Sequence, residues 1–176
     1  MLIEWEEIEI AAPWSREELH MDDKVEMLVQ ITKDEFDGNS FNGPPLIKTL
    51  QSLSFEQITS IETYEGYSVW AIVLHLIYWK HTLTAYLGGS PGVDPFPYEE
   101  KDWPGPPESP TPEAWEKTME HLRGAHEHYL SALKKRSAES LNDEIADWKC
   151  NVAKAVSWMA THDLYHVAQI RNMGVI

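Results

Sequence analysis

The stretch Val69 to Trp79, within SVWAIVLHLIYW, is the longest apolar run of the chain, 11 residues containing one histidine, His75. It falls far short of the ~20 residues needed to cross a bilayer, so it belongs to a helix in a protein core. Ser68 suits its N-cap, and Gly88-Gly89 suit its C-cap. On that helix Ile72, His75, Trp79 and Leu83 form one stripe.

The same recurrence at three and four residues predicts three more long helices. The first spans about Glu17 to Phe36, with Leu19, Val25, Leu28, Ile31 and Phe36 inward. Thr111-Pro112 opens another, where a capping side chain precedes proline at the first helical position and Trp115, Met119, Leu122, His126, Tyr129 and Leu133 follow. Asn151 caps the last, whose stripe is Val152, Ala155, Met159, His162, His166, Gln169 and Met173, ending near Gly174. A short helix follows Pro44-Pro45 through LIKTLQSL, and Ser54-Phe55-Glu56-Gln57 has the spacing of a capping box. No segment alternates as a strand should, so the expectation is an all-α four-helix bundle forming a single domain over residues 1–176.

The one strong shift in composition is Leu87 to Pro112, which holds 8 of the 11 prolines and reads as a long loop, over about 88–112, between the second and third long helices. Loops of that length serve as lids or binding loops, or are disordered insertions. Acidic residues outnumber basic ones 29 to 14, a formal charge of -15 that repels a phosphate backbone, so nucleic acid is excluded as a partner. The start, MLIEWEEIEI, is too acidic for a secretory signal or transit peptide. The one cysteine, Cys150, forms no internal disulfide. A cytoplasmic protein with no membrane partner is expected.

His162 and His166 carry the chemistry. Four apart on a helix, they lie on one face with roughly 5–6 Å between Cβ atoms, and they continue the inward stripe of the last helix. His75 can complete a tripod from a second helix. Three neutral imidazoles plus water is the ligand set of a catalytic divalent metal site, whose open position is where reaction occurs. An ion also relieves the cost of burying imidazoles by accepting their lone pairs. The alternative is three hydrogen-bonded core histidines. The segment His162-Asp163-Leu164-Tyr165-His166 mimics the HExxH of zinc proteases, but aspartate is a methylene shorter than glutamate and no His, Asp or Glu follows His166. The third ligand must therefore lie upstream.

Around the tripod, Asp163, Tyr165 and Gln169 are assigned supporting or packing roles. Arg171 is either a partner for a substrate carboxylate or an ordinary surface charge near a helix C-terminus. His121, His126 and His128 form a loose cluster in which His126, on the core stripe, is a candidate additional ligand. His20 and His81 are polar-face residues, and Cys150 has no patterned partner. Trp70, Trp79, Trp115 and Trp158 are expected to share the core and a homodimer surface.

These segments resemble the DinB-like (DinB/YfiT-like) superfamily of metal-binding four-helix proteins. EGYSVWAIVLHLIYW is similar to the helix carrying the family's first ligand histidine, here His75. KDWPGPPESPTPEAW is similar to its Trp-Pro loop and aromatic helix start. THDLYHVAQIRNM is similar to its closing helix with the other two ligands, here His162 and His166, although Ala168 replaces a usual glycine. The likeness covers about Leu46 to Met173. It implies an up-down-down-up bundle, nickel, zinc or a similar divalent ion (manganese or iron as alternatives) on three histidines, and often a homodimer. It further implies a metal-dependent hydrolase, or a transferase that joins a low-molecular-weight thiol such as bacillithiol or mycothiol to a small-molecule substrate. A non-catalytic metal-binding or interaction bundle is the competing reading. The family is unrelated to the lesion-bypass DNA polymerase of similar name.

Overall fold

A computed structural model of the protein describes residues 21–90, 102–103 and 105–175. Its described residues form six α-helices: α1 Met21–Phe36, α2 Leu46–Gln51, α3 Phe55–Thr59, α4 Val69–Tyr86, α5 Pro112–Lys134 and α6 Val152–Asn172. The helix starts follow their capping chemistry. Ser68, Thr111 and Asn151 each accept the backbone N–H three residues on, satisfying a donor that the helix itself cannot. At α3 the capping box is complete, with Ser54 Oγ accepting from Gln57 N and Gln57 Oε1 accepting from Ser54 N. Gly88, with φ of +74°, closes α4 in the left-handed region where a Cβ is strained.

α4 packs most extensively on α5, and α1 on α6, while α4 meets α6 and α1 meets α5 over smaller areas. One apolar cluster gathers Leu46, Trp70, Leu74, Trp115 and Ile170; the other gathers Val29, Leu83, Tyr129, Leu133 and Val156. Polar core residues fall where the clusters meet: Lys80 between Ile77 and Leu83 on α4, and His162, Asp163 and His166 between Met159 and Val167 on α6. Among the described residues, no helix is long and apolar enough to cross a membrane.

Two expectations are corrected. Ile31 is 45% exposed, and its inward place goes to Val29 and Thr32. Thr32 is tolerated there because its hydroxyl donates to the Leu28 carbonyl at 2.8 Å, leaving no polar atom unpaired. A two-residue antiparallel ladder, β1 Glu144–Ile145 with β2 Cys150–Asn151, precedes α6, and Lys149 turns between the strands at φ 51°. It is too short for alternation to register in sequence. Glu17 to His20, and with them Leu19, lie outside the described residues, as do Pro91, Pro95, Pro97 and Pro104 of the proline-rich stretch.

Candidate metal centre

His75 projects from the middle of α4, and His162 and His166 from successive turns of α6. His162 Nε2 stands 3.1 Å from His75 Nε2 and 2.9 Å from His166 Nε2, and the three ligand atoms lie within 4.8 Å of one another. Metal–nitrogen bonds of about 2.0–2.1 Å set at tetrahedral or octahedral angles place neighbouring nitrogens about 2.8–3.4 Å apart. The observed edges fit a single ion.

The outer nitrogens fix which tautomers are present. His75 Nδ1 donates to the Asp102 carbonyl at 2.5 Å, with an Asp102 carboxylate oxygen at 3.2 Å. His166 Nδ1 donates to Gln169 Oε1 at 2.6 Å. The Gln169 amide in turn donates to the Tyr67 hydroxyl at 2.6 Å and to the Glu65 carboxylate, which holds its oxygen toward the imidazole. With hydrogens committed at Nδ1, neutral His75 and His166 each aim a lone pair from Nε2 at His162. His162 can answer with at most one N–H. One hydrogen cannot satisfy two lone pairs at these distances, whereas a cation satisfies all three nitrogens. The donor set therefore fits a divalent metal.

Electrostatics agree. Burial pushes the His162 pKa down to about 3, with His166, His75 and Lys80 adding to the effect. Burial likewise takes His166 down to about 4 and lowers His75. All three are neutral at pH 7, the form that binds metal.

The Asp102-Trp103 step closes one side of the site. The Trp103 ring stacks on His75 at 4.0 Å and 14°, and Trp79 Nε1 donates to the Asp102 carboxylate at 2.8 Å. Beside it opens a cavity of about 440 Å³ lined by Trp79, Trp148, Trp158 and Met159, with Asp102, His75 and His162 in its wall. Its size lies in the range of small-molecule sites, and its lining is largely apolar.

A sequence model of the DinB superfamily matches residues 45–170, from the residue before α2 to the last turns of α6. The chain belongs to the DinB superfamily. No protein of curated function and no solved structure matches it. The superfamily match covers all three convergent histidines and Gln169 but leaves out α1.

The remaining sequence candidates fall elsewhere. His126 is buried and stacked on Phe36 at 3.6 Å; among the described residues neither ring nitrogen has a partner, and it is not part of the trio. His121 is half-buried and His128 exposed. Tyr165 is exposed, Arg171 lies against the Gly43 backbone, and Cys150 is paired with Ile145 in the ladder. Asp163, next to His162, faces away from the cavity into the core and meets Lys80. Sequence reasoning missed Glu65, Tyr67, Asp102 and Trp103 as supports. Only Gln169 carried a signal, its place on the inward stripe three residues after His166.

Proposed function

We propose that this DinB-superfamily protein is a divalent-metal-dependent enzyme built on a four-helix bundle of α1, α4, α5 and α6. His75, His162 and His166 would hold the ion, nickel or zinc first among the choices, with a position left open toward the cavity. The observation that carries this reading is the cluster of three Nε2 atoms with more lone pairs than hydrogens. Such an ion, when bound, lowers the pKa of a water or a low-molecular-weight thiol enough to make it a nucleophile near neutral pH.

The protein's own residues supply the rest. Gln169, backed by Glu65 and Tyr67, and the Asp102 carbonyl orient the imidazoles and keep their Nδ1 protons in place. Trp79, Trp148, Trp158 and Met159 offer an apolar, aromatic surface beside the trio, which suits a neutral, ring-bearing small molecule with an electrophilic atom placed near His162. Homodimer formation belongs to the same reading, supported by the exposed Trp158 and Tyr165 rings, seven residues apart on one face of α6.

The test is metal content of untagged protein by mass spectrometry, beside His166→Ala. About one divalent ion per chain, lost in the variant, is expected. Thiol consumption with aromatic electrophiles and hydrolysis of aromatic esters then separate transferase from hydrolase. Turnover of neither above the metal-free control would leave the ion a staple of the fold, and no ion after reconstitution would end the reading.

A further inference from the structure

Lys80 and Asp163 take no part in that chemistry, yet both side chains are fully buried, and Lys80 Nζ donates to the two carboxylate oxygens at 2.8 and 2.6 Å. Lys80 follows His75 by five residues on α4, about 7.5 Å along the axis. Asp163 sits beside His162 and three residues before His166 on α6. The two helices that must meet to build the trio are thus joined by a second polar contact.

We propose that the Lys80–Asp163 pair is a positioning device that fixes the register of α4 against α6, so that His75 meets His162 and His166 before any ion arrives. An ion pair withdrawn from water gains little over apolar side chains of the same volume, and its best-attested use is to specify register. Apolar burial is non-directional and by itself specifies register less sharply. A lysine bonded to both oxygens of one carboxylate fixes it. The restraint falls where it is needed, because α4 and α6 share less surface than α4 with α5 or α1 with α6. A one-residue slip of α4 would shift His75 by 1.5 Å and turn it by about 100°, which separates its Nε2 from that of His162. The Lys80 ammonium also lies 5.3 Å from the Phe36 ring centroid, so its stem is confined from the α1 side as well.

The inference rests on the metal reading only for its second readout. The variant is Lys80→Met with Asp163→Leu in the full chain, checked for folding by circular dichroism. The first measurement is the ¹⁵N imidazole spectrum of metal-free protein. Shifted His75 and His162 signals are expected in a protein that melts no lower than wild type. The second is cobalt(II) and zinc(II) affinity, expected to fall about 10–100-fold with an altered cobalt absorption spectrum. Imidazole signals matching wild type in the folded variant overturn the inference. If wild-type protein takes up neither ion, the metal reading fails, and the metal-free imidazole spectra still decide this one. Should the apolar pair not fold, Asp163→Asn, which keeps the shape and one acceptor oxygen, is expected to change the same signals by less.

Discussion

His166 and His126 are both buried, 2% and 4% exposed, and both lie on inward stripes of long helices, but they sit in opposite chemical settings. The outer nitrogen of His166 is held by Gln169 and its inner nitrogen faces two other imidazoles. His126 lies flat against Phe36, 5° from parallel, with neither nitrogen bonded. Burial takes the His126 pKa down to about 2, with the Lys80 and Lys33 charges adding to it. Burial alone therefore makes a histidine neutral. A ligand needs convergence and a partner for the second nitrogen as well.

The largest expected difference is in metal content. His162→Ala should lose the ion entirely, whereas His126→Leu should keep about one ion per chain by mass spectrometry. Loss in both would place His126 in the site after all.

The next effect is on stability against pH, where His126 should lead. Its folded-state pKa lies below the usual value of 6.5, so the unfolded chain takes up protons first as pH falls. Its stabilising contribution is intact above pH 6.5 and declines toward pH 2 by up to about 1.4 kcal/mol per pH unit. His126→Leu should flatten the melting temperature of metal-free protein between pH 6.5 and 4, and an unchanged slope would contradict the assigned burial.

A smaller effect is expected at Gln169. Gln169→Leu frees the His166 Nδ1 proton and should weaken zinc binding by about tenfold, as measured by competition with a chromogenic chelator. Smallest is Asp102→Ala. The shorter bond to His75 comes from the backbone carbonyl, so zinc affinity should change by less than about threefold, with the Trp79 bond and the 3.2 Å contact of the carboxylate with His75 Nδ1 lost.

The contrast also marks what the sequence could reveal. Periodicity located α4, α5 and α6 and placed His75, His162 and His166 inward, because apolar residues at three and four leave one face for the core. It failed at Ile31, since a threonine can replace an apolar residue on the stripe once its hydroxyl bonds back to the preceding turn. Periodicity also ranks His126 with the three convergent histidines, because it reports which face a residue occupies and not what it meets there. Glu65, Tyr67, Asp102 and Trp103 were illegible for another reason: they reach the trio from irregular segments, where spacing has no fixed relation to direction.

His162 and His166 lie one helical turn apart, so any chain that forms α6 brings them together. His75 is 87 positions away from His162, and bringing it to them closes a long loop. An ion held by all three thus binds the folded chain more tightly than any unfolded one, and its affinity becomes a gauge of tertiary structure.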